Sequence, residues 1–141
     1  MRIETPRGAV VHTPNGQSAQ LIWNPNFQPN WEGRYDRAQI FVDSEVLRLS
    51  APYIPFQTSM LQKSGILGTI PGKGVVTWIA PYAHYQYYGE IMAGRAPKHY
   101  TGRPLGYHGA PMRGKLWFER MKAAHKQDIL AGARRIAGGN T

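Results

Sequence analysis

An α+β fold is predicted by three features of this 141-residue chain. Two long segments, 31–51 and 115–136, repeat apolar residues at helical spacing; a β-branched and aromatic run at 75–79 follows a glycine-rich turn; and an Asn-Gly pair separates two short apolar runs near the N-terminus. The predicted architecture is a small antiparallel sheet flanked by a long N-terminal helix and a C-terminal helix, with an N-terminal hairpin arm and a long basic loop. A chain of this length suits one domain that buries its own core. We divide it into an arm and turn at 1–30 and a single α+β domain at 31–141, which includes a mobile loop at 93–114.

In the arm, Ala9-Val10-Val11 and Ala19-Gln20-Leu21-Ile22-Trp23 lie on either side of Pro14-Asn15-Gly16, and Asn-Gly between apolar runs favours the tight turn of a hairpin. A lone hairpin is marginal in water, so this one has to lie on the domain or on a neighbouring subunit. The turn-forming stretch 24–30 follows, with Asn30 placed to cap a helix. Trp31, Tyr35, Ala38, Val42, Val46 and Leu49 then form one stripe, with Arg34, Arg37, Asp43 and Arg48 away from it. Pro52 and Pro55 end the helix, because proline lacks the backbone donor and pushes its predecessor towards extended geometry.

Residues 56–74 connect the helix to the sheet. One helical turn is expected at 58–64 and a short strand at 66–70, after the break at Ser64-Gly65. Pro71-Gly72-Lys73-Gly74 reads as the turn of a hairpin whose second strand is 75–79. Alternation in that strand is weak because both faces are apolar. Such a pattern suits a strand covered by helices on one side and by a partner on the other.

Half of the eight tyrosines, Tyr82, Tyr85, Tyr87 and Tyr88, fall within 80–92. They spread round the element and do not follow one stripe, so some rings are expected to meet another protein chain. The following loop, 93–114, holds five glycines and three prolines together with His99, Tyr100, Tyr107 and His108. So long a loop in a compact domain is usually functional or disordered, and this one is expected to be mobile in the monomer and to order on assembly. The last helix carries Phe118, Met121, His125, Ile129, Ala133 and Ile136 on its stripe, Lys122, Lys126, Arg134 and Arg135 off it, and Gly138-Gly139 as its stop.

The formal charge of +9 is not spread evenly: residues 1–94 hold seven Lys/Arg against six Asp/Glu, whereas 95–141 hold ten against two. Basic residues in the last helical turn suit the dipole, but Arg113, Lys115, Arg120 and Lys122 sit at the unfavourable end. That placement points to a partner carrying negative charge, either an acidic protein surface or DNA. With no cysteine the chain has no disulfide, catalytic thiol or thiolate metal site, as fits a reducing cytoplasm. Glu4 and Pro6 precede any apolar run, so no signal peptide is expected, and no stretch nears the ~20 apolar residues of a membrane span. The chain is expected to be soluble, without membrane contact. Histidines 12, 84, 99, 108 and 125 lack ligand spacing, Gly72-Lys73-Gly74 lacks the frame of a phosphate loop, and Ser50, Ser59 and Ser64 lack a nucleophile elbow. No enzyme activity, metal or cofactor is expected.

Three stretches carry a resemblance: Ala51-Pro52-Tyr53-Ile54-Pro55-Phe56-Gln57-Thr58 continuing through Met60-Leu61-Gln62-Lys63-Ser64-Gly65; Ile79-Ala80-Pro81-Tyr82-Ala83-His84-Tyr85-Gln86-Tyr87-Tyr88-Gly89; and Arg103-Pro104-Leu105-Gly106-Tyr107-His108-Gly109-Ala110-Pro111 into Trp117-Phe118-Glu119-Arg120-Met121-Lys122. In order and composition they resemble the minor capsid or tail-completion proteins, the head-tail connectors or neck proteins, of long-tailed bacteriophages and prophages of Gram-positive bacteria. The resemblance spans 24–139 and leaves the arm outside it. Ser59 departs from it, standing where the related pattern places glycine.

The resemblance implies a structural virion protein, made in the host bacterial cytoplasm, that forms a ring completing the head-to-tail joint and leaves a channel for the genome. The ring would be a homo-oligomer, a hexamer by the symmetry of the tail, with a dodecamer also suited to a neck. Its partners would be a neighbouring connector or stopper ring, a tail terminator or tail tube protein, and, transiently, genomic DNA. Ring contacts favour aromatic and arginine anchors, which gives Tyr82, Tyr85, Tyr87, Tyr88, Arg103, Tyr107 and Trp117 as subunit or partner contacts. Arg95, Lys98, Arg113, Lys115 and Lys122 are the candidates for an acidic partner or DNA. A small basic module binding nucleic acid without sequence preference is the alternative; it explains the charge but leaves the tyrosines unused.

Overall fold

Gly16, at φ 85, closes the turn that pairs β1 (Ala9–His12) with β2 (Ser18–Leu21) in the computed structural model, which describes residues 2–56, 59–93, 99–104 and 112–138. Ala9 faces Leu21 and His12 faces Ser18 across the antiparallel pair. Thr13 locks the turn: its backbone N–H donates to the Gln17 carbonyl at 2.7 Å, and its hydroxyl accepts from the Gln17 N–H at 3.1 Å. Every residue of both strands is exposed. At the base of the arm, the Trp23 indole N–H donates to the Arg7 carbonyl at 3.2 Å.

Helix α1 (Phe27–Ser50) begins earlier than the apolar stripe suggests. Asn24 starts it, its side-chain oxygen accepting the Asn26 N–H and its carbonyl the Phe27 N–H, both at 2.9 Å. Pro29 lies in the first turn, where a missing donor is harmless, and Asn30 is inside the helix instead of capping it. Trp23, Phe27, Trp31 and Tyr35 run as neighbouring rings, with centroid separations of 4.9, 6.2 and 6.1 Å. The helix passes into a 3-10 turn, Ala51–Tyr53, and Ile54 resumes extended backbone ahead of Pro55.

Residues 66–68 of the strand expected at 66–70 are helical, and Thr69 takes extended backbone just after the helix. Helix α2 (Met60–Gly68) buries Leu61, Ser64 and Gly65 on one face, and the Ser64 hydroxyl donates to the Leu61 carbonyl at 2.6 Å. Its glycines are contact points, not breaks: a Cβ on Gly65 would meet the Trp78 indole at 2.5 Å and Leu47 at 3.1 Å. Close packing thus overrides the turn tendency of Ser-Gly. Residues 75–79 have no strand neighbour either. Thr69 substitutes for one, its hydroxyl accepting the Thr77 N–H at 3.0 Å and donating to the Thr77 carbonyl at 3.4 Å.

The second sheet lies further along. Helix α3 (Ala83–Tyr88) ends at Gly89, φ 76, and leads into β3 (Glu90–Ala93), which pairs antiparallel with β4 (His99–Pro104). Glu90 faces Pro104 and Ala93 faces His99, with an irregularity between Glu90 and Met92. The supposed loop at 93–114 therefore contains a strand; its expected mobility concerns mainly 94–98 and 105–111, outside the described residues. The fold is α+β as the sequence predicts, but among the described residues its sheets are two separate antiparallel pairs, β1 with β2 in the arm and β3 with β4.

Helix α4 (Trp117–Ala137) packs along α1. A Cβ on Gly132 would fall on the ring of Phe41, so glycine sets how closely the two helices approach. Ile54, Leu61, Ala83 and Trp117 form the core cluster, with Tyr53, Trp78, Tyr82, Tyr87 and Phe118 packed against it. Trp117, Ile54 and Met121 are each 1 % exposed. Burying an aliphatic side chain of this size contributes about 1.5–3 kcal/mol.

Candidate assembly surface

The sequence places Asp43 on the outer side of α1, yet the carboxylate is 3 % exposed. One oxygen accepts the Gly72 and Gly74 N–H groups at 2.8 and 3.0 Å, and the other accepts the Gln39 amide at 2.9 Å. Gly72 and Gly74 have φ of 103 and 78, so this tight turn wraps its donors round one acceptor. Asp43 thereby fixes the 69–80 segment on α1. A groove of about 430 Å³ lies beside it, lined by Val42, Val46, Val76, Trp78, Tyr87 and Phe118. Gly-x-Gly after the helix was the available sequence signal for a tight turn, but nothing in the sequence set Asp43 apart from the other carboxylates of α1. On the outside of the same region Ile66, Leu67, Ile70, Val75 and Ile79 are all more than half exposed.

The tyrosines divide between core and surface. Tyr87 packs edge-on against Trp117, centroids 4.8 Å apart, and Tyr82 leans on the core cluster. Burial pushes the Tyr87 hydroxyl above the ordinary tyrosine range, the Glu119 carboxylate adds to this, and the Glu119 backbone opposes it. Tyr87 is thus neutral wherever an ordinary tyrosine is. Tyr88 is 54 % exposed and touches His84 and Tyr87, while Tyr85 is half-buried next to Tyr82. The expectation for Trp117 is corrected: it is a core residue, set against Trp78 and Tyr87, and is not open to a neighbour. Its apolar bulk is worth more inside this aromatic cluster than at a rim.

The basic residues also divide. The Arg113 guanidinium donates to the Ala51 and Ile54 carbonyls at 3.1 and 2.7 Å and lies 4.9 Å from the Phe56 ring centre. Arg120 donates to the carbonyls of Met112, Lys115 and Tyr53 at 2.6, 2.8 and 3.3 Å. These two cations therefore bond to carbonyls of the segments that end α1 and precede α4, which accounts for their placement without an acidic partner. Lys115 and Lys122 stay exposed, as do Lys126, Arg134 and Arg135 along α4. Arg103 lies on β4, while Arg95, Lys98 and Tyr107 lie outside the described residues.

Among the described residues no three His, Asp or Glu side chains gather as a metal site, and no helix is long and apolar enough to cross a membrane. No known protein family, curated protein or solved structure matches the chain.

Proposed function

We propose that the chain is a structural protein of the bacteriophage neck, not an enzyme, and that copies of it form a ring at the head-to-tail joint. The observation that carries this reading is the N-terminal hairpin, every strand residue of which is exposed, on a body that also leaves several aliphatic side chains more than half exposed. A two-stranded hairpin is too weak to hold its shape alone in water, and such an apolar surface marks a contact site. The resemblance in sequence supplies the neck; the uncovered surfaces support assembly.

In this role the chain acts through shape. A closed ring holds two larger rings in register and leaves its axis open, while exposed cations such as Lys122 and Lys126 attract an acidic neighbour or the passing genome without gripping bases. Disabling the gene in a phage should leave filled heads and free tails unjoined, and the chain supplied in trans should restore joining, with a ring visible at the neck. Infectious, fully joined particles made without the chain would overturn the reading. The exposed cations along α4 favour, as a second reading, a small module that binds nucleic acid non-specifically. A steep loss of DNA affinity with salt in the isolated chain, together with normal head-to-tail joining in its absence, would decide for it.

A further inference from the structure

Residues 75–80 belong to no sheet among the described residues, yet they carry the burial alternation of a strand. Val76, Trp78 and Ala80 are half-buried while Val75, Thr77 and Ile79 are exposed, the period-two pattern of a strand with one face on a core. In extended backbone the N–H and C=O of one residue point to one edge and those of its neighbours to the other. Thr77 meets the Thr69 hydroxyl at 3.0 Å through its N–H, which puts the polar groups of Val76 and Trp78 on the opposite edge. Among the described residues nothing bonds to the backbone of Val76 or Trp78. An open edge beside exposed aliphatic side chains is a template for strand addition.

The arm supplies the missing part. Its strands are also short and uncovered, each with one unpaired edge, and Val10, Val11 and Leu21 are 55, 60 and 52 % exposed. Between residues 2 and 23 all but Ile3 and Trp23 are exposed, so the arm has surface free to meet a neighbour. Within one chain the two parts remain apart, since the arm and Val75 and Ile79 are all open to solvent. We propose that the open edge at 76–78 of one copy receives the N-terminal hairpin arm of the next copy. Giving with one surface and receiving with another makes the contact heterologous, as ring closure requires. The proposal rests on the reading that copies of this chain assemble with one another.

Because the chain has no cysteine, introduced thiols can be placed one at a time. Val11→Cys is mixed in turn with Val75→Cys and with Ile79→Cys, all at exposed positions, each partner carrying a tag of different mass. Mild oxidation should link one arm variant to one edge variant, and Val11→Cys/Ile79→Cys in a single chain should give a ladder of linked oligomers. Val11→Asp should weaken self-association about tenfold or more with unchanged helical circular dichroism, since it would bury a charge at the contact. An oligomer, seen by light scattering, that forms without arm-to-edge links or survives Val11→Asp would overturn the arm proposal and leave the ring reading intact. Links only between Val11 thiols, or only to a different neck protein, would also overturn it. A chain that stays monomeric at every concentration would overturn both.

Discussion

Ser59 opens α2 at φ 62, a left-handed conformation that costs a residue bearing a Cβ about 1–2 kcal/mol. This is the position where the resemblance leads one to expect glycine, and the backbone takes a shape that glycine adopts without strain. Ser59→Gly should therefore stabilise the fold by about 1 kcal/mol, read as a higher midpoint in urea unfolding; a lower midpoint would mean that the hydroxyl has a role of its own. The indole N–H groups of Trp78 and Trp117 run the other way. Both are buried with no hydrogen-bond partner among the described residues, and the two rings meet nearly edge to face at 5.8 Å. An unmet buried donor costs about 1–3 kcal/mol, which the burial of two large rings in the core offsets.

Among the elements, the 69–80 segment depends most on a single residue. Asp43 holds its turn through the Gly72 and Gly74 N–H groups, and Thr69 holds its outgoing limb through Thr77. Asp43→Ala should lower stability by about 1–3 kcal/mol and speed amide hydrogen exchange at Gly72 and Gly74, leaving α4 protected. Equal loss of protection in α4 would show that the segment and the helix pair unfold as one unit. The two long helices were legible in the sequence because their stripes follow one period, as with Trp31, Tyr35 and Ala38 or Met121 and Ile129. Helix α2 was not: Ser64-Gly65 and Gly68-Thr69 read as breaks, and only the nearness of Trp78 and Ile79 explains glycines inside a helix. Strand β4 was hidden because Gly102 and Pro104 have weak strand preference, whereas its pairing with β3 comes from a neighbour in space.

For the whole molecule, the excess charge splits into structural and free parts. Arg113 and Arg120 are committed to carbonyls, while Lys122 and Lys126 lie one turn apart on exposed α4 surface. On the proposed neck role, Lys122→Gln/Lys126→Gln should leave the helical signal unchanged and reduce the efficiency with which heads join tails, the more so at low salt, where unscreened attraction is strongest. Joining at the wild-type frequency would assign this row to solvent alone. Of the candidate contacts, the exposed Tyr88, Lys115 and Lys122 could be named from sequence, but their separation from the buried Trp117 and the committed Arg113 could not. The sequence by itself determined the α+β class, the arm, the two long helices and the basic last third, since these depend on local periodicity, turn chemistry and charge counts. Only the tertiary structure decided which aromatic rings are core, which cations are free, and that residues 75–80 pair with no strand among the described residues. Burial and pairing are properties of neighbours in space, and no local pattern records who those neighbours are.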